Sequence, residues 1–167
     1  LLESRGLGDV YKRQAGECDI VTTDGSALVG RRAVNDALND WSIFPQSPIS
    51  KEPLGPVYRS NDSKWGDVIN WVVYATIIAD EYGVTSANVD SVDTDALPEL
   101  GRLFGANDGE LQSVMGLDKK AFYNVIKQIG NYDEIYSRNL NPVGLFREGG
   151  ANDRWTNGGL IYAPPAR

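Results

Sequence analysis

Histidine is missing from this 167-residue chain, and cysteine and methionine occur once each. Without histidine the usual zinc ligand sets and an imidazole base are both excluded. Cys18 alone makes no internal disulfide, and its expected role is that of a small buried strand residue. Basic residues are scarce too: 16 Lys and Arg stand against 23 Asp and Glu, a net charge of −7. That balance argues against nucleic acid or an anionic lipid surface as partner. A long hydrophobic run is also lacking, since the longest apolar stretch, Trp71 to Ala79, falls far short of the roughly 20 residues of a membrane span. No internal repeat, low-complexity tract or glycine-rich phosphate loop occurs, and no cofactor is expected. What is present, 41% hydrophobic and 23% charged residues, suits one globular domain of ordinary size.

The segment Asp9-Val10-Tyr11-Lys12-Arg13-Gln14 reads like the translation of an adapter end used in sequencing-library preparation. Residues 1–14 are therefore expected to be a non-native scar and carry no function. Without them the chain has 13 basic and 21 acidic residues, a net charge of −8.

From Asp19 to Thr23 a short strand is expected, with Asp19 as its structural start and Ile20 and Val21 apolar. It runs into a helix over about 26–38, with Ala27, Leu28, Val34 and Leu38 inward and Arg31 and Arg32 toward water. Four prolines between Trp41 and Arg59 exclude helix, and Pro53 to Arg59 reads as an edge strand. A long helix follows over about 64–82, with Ser63 as N-cap and Gly83 as its stop. Its apolar surface is wide, so burial on most sides against a sheet is expected, with Trp65 and Trp71 as core residues. Asp80 and Glu81 read as a solvated helix end, because helix neighbours do not face each other. Shorter helices are expected over 94–104, 118–129 and 132–140, the last opened by an Asn131/Glu134 capping box. Trp155, Leu160, Ile161 and Tyr162 are the expected anchors of a Gly-, Pro- and Asn-rich tail.

Asp24 closes the first strand and opens the first helix. A carboxylate there serves either as an N-cap, worth about 1 kcal/mol to the helix, or as a fixed partner for an ammonium group. Thr22 and Thr23 could add hydroxyl or backbone contacts, although strand alternation sends one of the two inward.

The stretch Gly16-Glu17-Cys18-Asp19-Ile20-Val21-Thr22-Thr23-Asp24 resembles the second-lobe Gly-x-x-Asp-x-x-x-x-Asp segment of family 3 solute-binding proteins of ABC transporters. Four further blocks are similar to the general L-amino-acid-binding branch of that family: Ser50 to Pro56, Gly83 to Asp90, Gly130 to Tyr132, and Gly158 to Pro165. The chain ends on Pro-Pro-Ala-Arg, with Ala166 where the branch more often has an aromatic residue.

The resemblance implies an α/β fold, the C-terminal half of a type II periplasmic-binding-protein fold, helix-rich with a few short strands. Residues 15–46 would close lobe two, 47–53 form the return hinge, and 54–167 supply the C-terminal part of lobe one and a tail. It further implies that Asp24 accepts the ligand's α-ammonium, with Thr22 and Thr23 beside it, and that the arginine for the ligand carboxylate lies upstream. The expected protein is a periplasmic monomer that closes on an L-amino acid and delivers it to an inner-membrane ABC permease, without catalysis. Dehydratases of the same fold acting on small carboxylic substrates, and receptor ligand-binding domains, stand as alternatives.

Overall fold

The computed structural model describes residues 15–35, 41–45, 49–50 and 53–167. By compactness the chain divides into two units: residues up to Leu54 with Val143–Leu145, and Gly55–Pro142 with Phe146–Arg167. The expected scar, the end of the first helix at Leu38 and most of the 47–53 hinge lie outside the described residues.

In the first unit, Asp19 to Thr23 is irregular, with a bend at Asp19, and joins no ladder among the described residues. An extended segment becomes a strand only when a neighbour takes its N–H and C=O groups, and among the described residues none does. The same holds for Pro53 to Arg59 in the chain that follows. Cys18 is accordingly half-buried outside any strand. Helix α1 spans Gly25–Asn35, and its inward position is Val29, 7% exposed, whereas Val34 is 83% exposed. The expected stripe is thus shifted, and Arg31 and Arg32 are half-buried rather than facing water. Arg32 in the last turn complements the negative end of the helix dipole.

The second unit is built on α2, Ser63–Glu81. Its N-cap is Asp62, not Ser63: the Asp62 carboxylate accepts the Trp65 amide at 3.1 Å. At the other end the Gly83 amide donates to Asp80 O at 3.0 Å and the Val84 amide to Ala79 O at 2.7 Å. That double closure needs a left-handed residue, and Gly83 supplies it at φ +67°. The last two turns, Ala75 to Asp80, are buried all round. Their partners are helices: α5, Ala121–Ile129, and α6, Tyr132–Leu140. A sheet was expected there, but the apolar faces of α5 and α6 fill the role. Two short helices, α3 (Pro98–Leu103) and α4 (Leu111–Val114), complete the layer. The expected helix over 94–104 begins only at Pro98, whose missing amide suits a first turn.

The core joins Ala75, Ile78 and Ala79 of α2 to Val84, Val89, Leu100, Leu103, Phe104, Phe122 and Ile126. Phe122 and Ile126 are fully buried, each such side chain contributing about 1.5–3 kcal/mol by leaving water. Trp71 packs on this core and meets Tyr74 edge-on, with ring centroids 5.7 Å apart. Trp65, expected inside, is 54% exposed, because it sits on the first turn, before the surrounding helices begin.

The tail is held by polar bonds and small residues rather than by its large apolar ones. Trp155, Leu160 and Tyr162 are exposed, while Arg147, Asp153 and Ala166 are buried. The Asp153 carboxylate gathers the Gly149 amide at 3.0 Å, the Arg154 amide at 2.8 Å and the Asn157 side-chain amide at 3.1 Å. Those bonds hold its carboxyl below the usual range, led by Gly149. Gly159 lies so close to this turn that a Cβ there would sit 1.9 Å from Asp153 O. Farther on, Arg154 and Ile161 form an isolated parallel bridge.

Candidate functional site

Thr22, Thr23 and Asp24 lie consecutively on the irregular segment that enters α1. The Asp24 carbonyl accepts the Leu28 amide at 2.9 Å, which makes Asp24 the residue at the helix boundary. Exposure alternates along the segment: Val21 and Thr23 are half-buried, Thr22 and Asp24 exposed. Thr22 is thus as open as Asp24, and Thr23 is the less exposed of the two threonines. The result is a solvent-facing carboxylate beside a hydroxyl at the positive end of an 11-residue helix. Such a carboxylate can accept charge-assisted hydrogen bonds from an ammonium group.

The strongest electrostatic arrangement in the second unit involves a residue expected in solvent. Asp80 is 1% exposed. Arg147 Nη2 donates to its Oδ2 at 2.5 Å, and Arg154 Nε lies 3.2 Å from its Oδ1 as an ion pair outside hydrogen-bond geometry. Arg147 also donates through Nη1 to Asp133 at 3.0 Å and through Nε to Asn152 O at 2.7 Å, with the Tyr132 ring 4.9 Å from its guanidinium carbon. Burial works against the Arg147 charge, but the two carboxylates outweigh it and raise its affinity for the proton. Every edge of this guanidinium is thus engaged within the protein, so Arg147 is no candidate for a ligand carboxylate. A signal for this was in the sequence: Asp80 follows Ile77-Ile78-Ala79 on a helix that is apolar nearly all round, where a charge requires a partner.

Two of the blocks that carry the resemblance meet each other. The Asn131 side chain accepts the Glu134 amide at 2.9 Å and donates to Val84 O at 2.9 Å. Glu134 returns to the Asn131 amide at 2.9 Å and takes the Ser86 hydroxyl at 2.6 Å and the Ser86 amide at 3.0 Å. Gly83 to Ser86 and Gly130 to Tyr132 are therefore the two halves of one docking contact, a structural role. Burial pushes the Glu134 carboxyl up, yet the Ser86 and Asn131 donors prevail and hold it below the usual range.

No protein-family model matches the chain. Individual proteins match it well. The glutamate/glutamine/aspartate/asparagine-binding protein BztA of Rhodobacter capsulatus is 44% identical over 93% of this chain and 46% of its own length. The general L-amino acid-binding periplasmic protein AapJ of Rhizobium johnstonii is 41% identical over 92% of this chain and 45% of its own. The chain is related to the amino-acid-binding periplasmic proteins of ABC transporters. A third relative, the putative amino-acid ABC transporter-binding protein YhdW of Escherichia coli, is 40% identical over 92% of this chain. Among solved structures, an ABC transporter periplasmic binding protein from Brucella ovis with glutathione bound superposes with a TM-score of 0.85 at 40% identity, over 94% of this chain and 49% of that one. The fold is thus that of part of a periplasmic binding protein, and the chain spans about half the length of the relatives it matches.

Proposed function

We propose that this chain is part of a periplasmic binding protein that captures L-amino acids and hands them to an inner-membrane ABC importer. The observation that carries this reading is 40–44% identity, over nine-tenths of the chain, to proteins named for binding amino acids. Asp24, exposed at the head of α1 with Thr22 beside it, is our candidate for the ligand's α-ammonium. Thr23, half-buried, is the secondary candidate and contributes through its backbone. Residues 15–46 then belong to lobe two, 47–53 to the hinge and 54–167 to lobe one. A ligand that bridges both lobes favours the closed form through its contacts to each, and no covalent step is required.

The test restores the upstream half of the reading frame and titrates the whole protein calorimetrically with a panel of L-amino acids. Glutathione joins the panel, because its glutamyl end carries the same α-ammonium and α-carboxylate as an amino acid and it occupies the Brucella ovis protein. Binding without turnover is expected. Asp24→Asn should weaken binding roughly ten- to hundredfold, the loss of one charge-assisted hydrogen bond, with the unliganded melting temperature unchanged. Unaltered affinity with lowered stability would assign Asp24 to helix capping alone. Product formation from a small carboxylic substrate would replace transport by catalysis.

A further inference from the structure

A cavity of about 540 Å³ opens where the end of α2 meets the tail, lined by Glu81, Tyr82, Glu99, Trp155, Tyr162 and Pro165 among others. That volume lies within the ordinary range for small-molecule sites. It involves none of Thr22, Thr23 and Asp24. Two features distinguish its walls. The first is a pair of carboxylates held by neutral donors. Glu81 accepts the Trp155 indole N–H at 3.0 Å, and Glu99 accepts the Tyr82 hydroxyl and the Ala166 amide, both at 2.8 Å. All these donors are neutral, whereas Asp80, Asp90 and Asp133 each pair with an arginine or lysine. Among the described residues, neither Glu81 nor Glu99 forms a salt bridge. The second is aromatic exposure: Trp155 is 59%, Tyr162 68% and Tyr82 43% exposed.

We propose that this cavity binds a small organic cation of the alkylammonium or guanidinium type. Carboxylates supply charge-assisted acceptors, and the faces of Trp155 and Tyr162 attract a cation through their ring quadrupoles while covering its apolar body. A metal ion suits the walls poorly, because aromatic rings offer it no ligand atoms. Desolvation pushes the Glu81 carboxyl up and the nearby Glu99 charge adds to the push. A bound cation would offset that push on Glu81.

Agmatine is the probe, since it carries a guanidinium and an ammonium but no carboxylate. It is titrated into the full 167-residue chain while the indole N–H resonance of Trp155, which reports the bond to Glu81, is followed by NMR. The expected result is a saturable shift that weakens with added salt. Glu99→Gln and Tyr162→Leu should each weaken it at least about fivefold, the scale of losing one charged or cation–π contact. Tyr162→Leu changes an exposed ring and leaves the hydrogen bonds of Glu99 to the tail in place, so it tests the site even if Glu99→Gln disturbs the fold there. Asp24→Asn should leave agmatine binding unchanged, which separates this site from the proposed amino-acid site. Equal binding of neutral N-butylurea, agmatine affinity within twofold of wild type in both variants, or a response to arginine-rich peptide but not to agmatine would each overturn the proposal.

Discussion

Replacing Arg147 by methionine keeps most of the side-chain volume and removes the charge. The effect on stability follows from what each partner loses. Asp133 is 44% exposed on its side chain, so water replaces its lost bond and the cost is about 0–1 kcal/mol. Asn152 O loses one donor from a loop at the surface. Asp80, by contrast, is 1% exposed and is left with Arg154 alone, at 3.2 Å without hydrogen-bond geometry. Stranding a buried charge fully costs about 3–5 kcal/mol, and the remaining Arg154 ion pair makes that range the upper bound here. For a protein of this size that corresponds to a fall in melting temperature of roughly 6–20 °C. Urea denaturation followed by tryptophan fluorescence and circular dichroism measures it. Asp133→Asn should cost no more than about 1 kcal/mol. The double variant Asp80→Leu with Arg147→Met should be more stable than Arg147→Met alone, because it leaves no buried charge unpaired. A loss below about 1 kcal/mol for Arg147→Met, or a double variant worse than the single one, would refute this assignment of the energy to Asp80.

Glu134→Gln should destabilise the chain by about 1 kcal/mol at neutral pH, through the weakened capping box and Ser86 contacts. Because the folded carboxyl is held below its ordinary range, its contribution is present above the unfolded pKa and is lost as pH falls through the folded value. The gap between wild type and variant should therefore close in acid, and a gap that widened there would reverse the sign. Gly159→Ala drives a methyl into Asp153 O and should cost about 1–3 kcal/mol, seen as faster tryptic cleavage after Arg154. Phe122→Ala empties a fully buried site and should cost about 3–5 kcal/mol in the same urea assay.

The helices that could be read from the sequence were those whose ends carry their own chemistry. Gly83 stops α2 and the Asn131/Glu134 box starts α6, because both devices act within a few residues. Asp62 rather than Ser63 caps α2; both residues are good caps, and only the backbone angle at the junction separates them. The four-residue helix α4 has too few turns to show a period. Neither expected strand is paired among the described residues, since pairing depends on residues distant in sequence. The tail reversed expectation most: its large apolar residues are exposed, and its hold on the body comes from Arg147, Asp153 and Ala166. An arginine and an aspartate in a polar segment look solvated until the buried Asp80 is placed opposite them. Of the candidate site, Thr22, Thr23 and Asp24 could be named from the sequence, but strand alternation is no guide to their side chains where no strand forms among the described residues.

The contact between Ser86 and Glu134 sets unequal freedom to mutate at its two ends. Glu134 serves the Asn131 amide, the Ser86 amide and the Ser86 hydroxyl at once, so few other residues could replace it. On the facing loop, two of the groups involved, the Ser86 amide and the Val84 carbonyl, belong to the backbone and persist whatever side chains stand there. Variation across descendants of this chain should therefore fall at positions 85 and 86 rather than at 131 and 134, with Val84 held by its own place in the core, one side of the joint drifting while the other holds its register.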